Sequence, residues 1–392
     1  MAQRTISLGH WLAGDELTSI LQLIEQFNKV HPHLEVVPQL VAEKEEEMVE
    51  KLLSSSPDAS GPDVITLYGE SLAKFERQGI IIPLNSFISS APLDLTDLWE
   101  NLLEAVTYQG MILGMPLIEA NPYALFYNKD LFKQAKIDNP PRNWEELETS
   151  ARALTKDNDN DNLTDQWGYT QCSFQIPLIL WQNEGKILNE SKERVAFNEK
   201  EGVEALKFLT NLRRKYSPPH VNFERGDVGM KLSIVQNIKK YQGMNFSLVP
   251  LPAGKVRANS FGGSKSVNTL AILNKSKERQ EIAWEFIRWW DNPENYTKWC
   301  KLSGYVPIKK STLKREDYQE YLKENPLLKI FIGELEYARA RPCIPAYKEI
   351  KMTLNKALGA IEAEEDLSEE RIRECLDQSA QEAQELLSKG NL

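Results

Sequence analysis

A chain of 392 residues is long for one core and predicts two lobes of roughly 150 to 200 residues each, which excludes a single small domain. With 41% hydrophobic and 27% charged residues, 20 Gly and 20 Pro, the composition is that of an ordinary folded globular protein and excludes disordered, collagen-like and membrane-embedded classes. The 47 Lys and Arg are outnumbered by 57 Asp and Glu, and the net charge of −10 argues against nucleic acid or anionic lipid as a partner.

Thr5 to Trp11 reads as an opening strand. Asp15 to Thr18 starts an amphipathic helix whose apolar positions are Leu17, Ile20, Leu21, Ile24 and Phe27, and His31-Pro32 stops it. A short strand at 34–37, a charged helix over about 43–53 and a buried strand at 63–67 follow. This strand and helix alternation predicts a parallel sheet with helices on its faces. Pro116 and Pro122 bracket an extended run that reads as a crossing between lobes, ahead of a strand at 124–127. Helices are predicted over 144–155, 200–215 and 277–290, strands over 246–250 and 267–273, and a helical tail over about 366–388 with Leu367, Ile372, Leu376 and Leu386 on its apolar side.

The four cysteines, Cys172, Cys300, Cys343 and Cys375, have neither C-x-x-C spacing nor nearby histidines; they leave three pairings open, and at least two are expected to be buried thiols. No run approaches the about 18 apolar residues needed to span a bilayer, and residues 1–8 lack the apolar stretch of a signal peptide.

The sharpest local signal is the run Asp157 to Asp165. Carboxylates fall at Asp157, Asp159, Asp161 and Asp165, with the Leu163 carbonyl between the last two, which is the spacing of a calcium loop. Asn162 stands where such a turn prefers Gly, and Asn tolerates positive φ. Gly168 replaces the closing bidentate Glu, so a structural ion is the expectation, with a solvated acidic turn as the alternative. Nucleophile-elbow, P-loop, dinucleotide and zinc-helix motifs are absent, and four histidines supply little imidazole chemistry. A carboxylate pair hydrolysing a glycoside stays open as an enzyme alternative.

Aromatic residues are plentiful, with 9 Trp, 13 Tyr and 13 Phe, several beside Gly, Pro or polar residues just after predicted strands. A pyranose offers an apolar C–H face for a ring and a rim of hydroxyls for planar polar partners, so this pairing suits sugar recognition.

The ordered motifs resemble a known family. They include the strand ending at Trp11, the helix 16–27 closed by His31-Pro32, Gly61-Pro62-Asp63-Val64-Ile65, Gly79 to Leu84 and Gly110 to Pro116. Leu125 to Phe132, Pro140 to Leu147, the acidic loop running into Gln166-Trp167-Gly168-Tyr169, 223–230 and Val249-Pro250-Leu251-Pro252 continue the series. Over nearly the whole length the chain resembles the extracytoplasmic solute-binding proteins of ABC importers, in the carbohydrate-binding, maltose-binding-protein-like branch.

The resemblance implies an α/β, two-lobed periplasmic-binding-protein type II fold with hinge crossings, closing on ligand. It assigns 1–117 with 265–315 to the N-terminal lobe and 118–264 with 316–392 to the other. Carried over by motif, the ligand-binding residues are Trp11, Glu16, Tyr68, Glu70, Asn121, Tyr123, Phe174, Trp181, Gln236, Phe261, Gly263, Arg341 and Tyr347. Trp11, Tyr68 and Phe261 are expected to stack, while carboxylates and Arg341 grip hydroxyls. Gln236 stands where relatives often present a tryptophan and Gly69-Glu70 where an Asp is frequent, so a mono- or disaccharide or small glucoside is expected rather than a long malto-oligosaccharide. The implied protein is a monomer that catalyses nothing, needs no catalytic cofactor, binds no nucleic acid and delivers sugar to permease subunits. It is expected in the periplasm or membrane-anchored outside the cytoplasm, its signal already removed. A sugar-sensing receptor subunit and a glycerol-phosphate binder of the same family are the remaining alternatives.

Overall fold

The computed structural model describes residues 4–54, 61–91, 93–171, 176–217, 222–262, 266–365 and 367–390. The chain divides into two compact units, 1–120 with 266–326 and 340–347, and 121–265 with 327–339 and 348–392. The strands are β1 Arg4–His10, β2 Leu34–Leu40, β3 Val64–Tyr68, β4 Thr107–Tyr108, β5 Met111–Ile112, β6 Met115–Glu119, β7 Tyr123–Asn128, β8 Trp167–Gln171, β9 Val228–Ile234, β10 Phe246–Val249, β11 Asn259–Ser260, β12 Asn268–Ile272 and β13 Ala338–Arg339.

The first unit is built on a five-stranded sheet ordered β2-β1-β3-β12-β6. β1 pairs parallel with β2 and β3, whereas β12 pairs antiparallel with both β3 and β6. The expected all-parallel sheet is therefore mixed, because β12 re-enters the sheet from the carboxyl edge of its neighbours. Every residue of β3, β6 and β12 is buried, which explains why they are mostly apolar, with Thr66, Glu119, Asn268 and Thr269 as their polar members. Helix Gly14–Val30 buries Ile20, Leu23, Ile24 and Phe27 at helical spacing and ends at His31, whose Nδ1 lies 2.9 Å from the Phe27 carbonyl. Helix Lys277–Asp291 buries Ile282, Phe286, Ile287 and Trp290.

The second unit has a four-stranded sheet ordered β10-β7-β9-β8, with only β8 and β9 parallel. Its core gathers Leu125, Leu147, Ala151, Leu154, Met230 and Leu232. Helix Trp144–Leu154 is capped by Asn143, whose side chain accepts from the Glu146 N–H. The tail helix Glu369–Gly390 buries Ile372, Leu376, Ala383 and Leu387; the apolar stripe ends on Leu387, not on the expected Leu386, which follows from the 3.6-residue period.

The division differs from the one expected at the C-terminal side. Residues 316–326 and 340–347 belong to the first unit, where helix Glu316–Glu324 packs on helix Pro293–Ser303 and Arg341 faces Glu70. None of the described cysteines forms a disulfide; Cys300 and Cys343 are buried and Cys375 is half-buried, while Cys172 lies outside the described residues. Burial pushes the Cys300 thiol up to about 12, so it is an inert core group.

Candidate binding site

In the first unit the sheet topology collects polar and aromatic side chains at one edge. β1, β3 and β6 end at this edge and β12 begins there, so His10, Tyr68, Glu119 and Asn268 come to the carboxyl side of the sheet, where open α/β folds hold ligands. Trp11 follows β1, and the next helix carries Asp15 and Glu16 in its first turn, where the helix dipole favours carboxylates. Tyr68 passes directly into helix Gly69–Arg77, whose first turn carries Glu70. Gly69 is dictated by closeness: a Cβ there meets the Ala105 carbonyl oxygen at 2.3 Å.

These side chains interact. The Trp11 and Tyr68 rings lie 5.2 Å apart at 45° and form one aromatic surface. Arg341 Nη1 stands 3.7 Å from Glu70 Oε2, with the two residues 2% and 5% exposed. The Tyr68 hydroxyl is held well above its ordinary titration range, first by burial and then by the negative charges of Glu119, Glu16, Glu45 and Glu70. It is therefore a proton donor at neutral pH. Burial likewise raises the Tyr347 phenol, with Arg341 opposing the shift and Glu70 adding to it. Glu45 accepts a 3.1 Å hydrogen bond from Ser71 Oγ.

Six of the expected ligand-binding residues, Trp11, Glu16, Tyr68, Glu70, Arg341 and Tyr347, thus fall in one neighbourhood of this unit, although Arg341 and Tyr347 were expected in the other lobe. Sequence reasoning missed Glu45, Glu119 and Asn268. Glu119 carried a signal, since it lies inside the Pro116 to Pro122 run, and Asn268 is the one carboxamide opening an apolar strand.

The second unit presents its expected residues differently. Tyr123 opens β7 opposite Ile234, two residues before Gln236, so Tyr123 and the half-buried Gln236 share a sheet edge. Tyr123 also belongs to the core, and its N–H and carbonyl both bond the Asn259 side chain at 2.9 Å. Asn259 Nδ2 in turn donates to Glu334 Oε2 at 2.6 Å. Asn121 is fully buried. Trp181 lies on helix Ile176–Gln182 and is buried, and Phe261, expected to stack, is a buried side chain whose N–H bonds the Arg339 carbonyl. Phe174 and Gly263 lie outside the described residues.

In the acidic loop, carboxylate oxygens of Asp157, Asp159 and Asp165 converge within 4.8 Å. Asp161 is not part of that group; its carboxylate accepts the Leu163 N–H at 2.7 Å, and Leu163 is exposed. Asn160 and Asn162 adopt φ of 63° and 71°, and Asp157 accepts both of their N–H groups. Three of the four expected carboxylates thus converge, and Asp161 stands apart from them.

The comparisons with known proteins agree with this architecture. The family model described as bacterial extracellular solute-binding protein matches residues 13–297. A putative binding protein of Brucella abortus is 26% identical over 335 residues, covering 80% of this chain and 78% of that protein. Among solved structures, the cyclic alpha-maltosyl-1,6-maltose binding protein from Arthrobacter globiformis has a TM-score of 0.84 at 22% identity, covering 99% of this chain and 100% of that one. UgpB from Mycobacterium tuberculosis, in complex with glycerophosphocholine, has a TM-score of 0.83 at 20% identity and covers both chains fully. Solute binding, not glycoside hydrolysis, is the activity of this family. No helix among the described residues is long and apolar enough to cross a membrane. The chain belongs to the bacterial extracellular solute-binding protein family.

Proposed function

We propose that the chain is the substrate-binding component of an ABC importer, and that it captures a mono- or disaccharide or small glucoside by closure of its two units and delivers it to the permease. The observation that carries this reading is the edge of the first unit, where the Trp11 and Tyr68 rings lie beside the Glu70 and Arg341 pair. Rings cover a sugar's C–H face, carboxylates accept from its hydroxyls, and a guanidinium donates in a fixed plane. Asn121, Tyr123, Phe174, Trp181, Gln236, Phe261 and Gly263 are the second unit's proposed contributors. Relatives named for sn-glycerol-3-phosphate make a phosphate ester the competing ligand. Arg341 faces the Glu70 carboxylate, which repels a second anion and favours a hydroxyl.

A thermal-shift screen of mono- and disaccharides, small glucosides and sn-glycerol 3-phosphate tests the reading. A sugar at 100 times its Kd adds about 2.7 kcal/mol to the folded state. A shift from the phosphate ester alone refutes the sugar reading. A sugar consumed on incubation refutes the transport role.

The acidic loop fits a structural calcium ion held by Asp157, Asp159 and Asp165, with loop carbonyls completing the shell. Chelation is expected to lower the melting temperature, and calcium to restore it. An unchanged transition after chelator treatment refutes the ion.

A further inference from the structure

Asn268 is a polar group of the first unit's edge that the reading above does not use. It opens β12, and its Cα is in register with Tyr68 on one side and Glu119 on the other. Residues directly opposed in antiparallel strands send their side chains to the same face of the sheet. Asn268 therefore shares both the face and the edge of Tyr68. The alternate residue, Thr269, bonds the Leu67 carbonyl at 2.7 Å, so the strand's own polar needs are met without Asn268.

The Asn268 side chain is 0% exposed, and neither its Oδ1 nor its Nδ2 has a hydrogen-bond partner among the described residues. A buried carboxamide with no partner carries its full desolvation penalty, and leucine, of nearly the same shape, fills such a position without that cost. A residue that weakens the ligand-less protein in this way is expected where a ligand restores the lost hydrogen bonds.

We propose that Asn268 is a specificity-determining residue, which receives one hydroxyl of the bound carbohydrate beside the Tyr68 ring. This rests on the carbohydrate reading. A hydroxyl donates and accepts at once, and a carboxamide offers both an acceptor and donors in one plane; the oxygens of a phosphate dianion accept only and leave Oδ1 unused. Tyr68, kept protonated, supplies a second donor on the same face. Thr66 provides an internal control. It lies on β3 two residues before Tyr68, also 0% exposed with its Oγ1 unpartnered among the described residues, but opposite Leu270 and one step in from the edge.

The test uses the full chain as wild type, Asn268→Leu and Thr66→Val, with maltose, maltotriose, trehalose and sn-glycerol 3-phosphate as probes. Melting without ligand and calorimetric affinity for the sugar that shifts wild type most are the two readouts. Asn268→Leu is expected to melt at or above the wild-type temperature without ligand while its sugar affinity falls about tenfold. Thr66→Val is expected to keep its affinity within about twofold, as its place away from the edge requires. Wild-type affinity in Asn268→Leu overturns the proposal. So does a ligand-less transition several degrees lower, which shows the amide bonded within the fold. If wild type binds none of the four probes, the carbohydrate reading falls, and the ligand-less melting of Asn268→Leu still decides whether the amide is an unsatisfied recognition group.

Discussion

Replacing Glu70 by Gln keeps the side chain's shape and removes its charge, and so isolates the buried Glu70–Arg341 pair. At 3.7 Å and an effective dielectric of about 20, the Coulomb attraction is about 4 to 5 kcal/mol. Both residues are at least 95% covered, so Arg341 loses this counter-charge in a place where water replaces little of it. Removing one partner of such a pair costs about 3 kcal/mol or more. The first unit holds about 190 residues, for which 1 kcal/mol corresponds to about 2–4 °C, so its transition is expected to fall by about 6–12 °C. Stability and binding are separated by the double variant Glu70→Leu with Arg341→Met. A buried ion pair exchanged for apolar side chains of similar volume is near neutral, so the double variant recovers most of the lost stability. It does not recover sugar binding, because both groups that grip hydroxyls are gone. Differential scanning calorimetry supplies the first measurement and titration calorimetry the second. A Glu70→Gln transition within about 1 °C of wild type refutes the buried pair, and a double variant that binds sugar as wild type refutes its role at the site.

Gly69→Ala is expected to cost about 1–3 kcal/mol, since its Cβ meets the Ala105 carbonyl oxygen, a backbone atom that cannot swing aside. Gly359→Ala, inside helix Tyr347–Ala363 with open space around the added methyl, is expected to stabilise by about 0.5–1 kcal/mol, and urea unfolding that fails to separate the two refutes the close-packing argument. His10 is buried at the end of β1, and burial holds its imidazole below the usual range against a raising bond to the Leu12 backbone. Its proton binds more tightly to the unfolded chain, so stability present above about pH 6.5 is lost as pH falls through that value toward the folded one. His10→Asn is expected to flatten this limb in melting curves between pH 8 and 5; an unchanged slope refutes it.

The elements were legible wherever one pattern decided them. Helix Gly14–Val30 was readable from its apolar spacing and its His31-Pro32 stop, and β3 from an apolar run between a Pro-Gly loop and Gly69. The direction of β12 was not, because period and composition are the same for a strand entered from either edge, and only the chain's path through the second unit sets its sense. Helix Glu316–Glu324 illustrates the same limit at the level of units. Its sequence is mostly charged, with Tyr318 and Leu322 as its two buried residues, so the unit it joins is fixed by where those two side chains find a partner surface.

The site divides along the same physical line. Trp11, Tyr68 and Glu70 draw notice in the sequence because they stand at or just past the end of a buried strand, whereas Arg341 was named only through the family resemblance and its pairing with the buried Glu70 came from the fold. Glu119 and Asn268 come from β6 and β12, strands that sequence cannot place beside β3, and their meaning is created by register: both reach the edge that Tyr68 occupies, Asn268 from the adjacent strand and Glu119 from the one beyond it. Phe261 shows the converse. Its Gly-flanked setting reads as an exposed platform, yet the pairing of β11 with β13 folds it inward, so a ring next to glycines is a site residue only when the strand beside it leaves the ring an open face. The recognition proposed for Asn268 therefore depends on antiparallel re-entry of β12. A change that shifts β12 by one residue moves Asn268 to the opposite face, away from Tyr68, and takes the donor and acceptor pair out of the site with it.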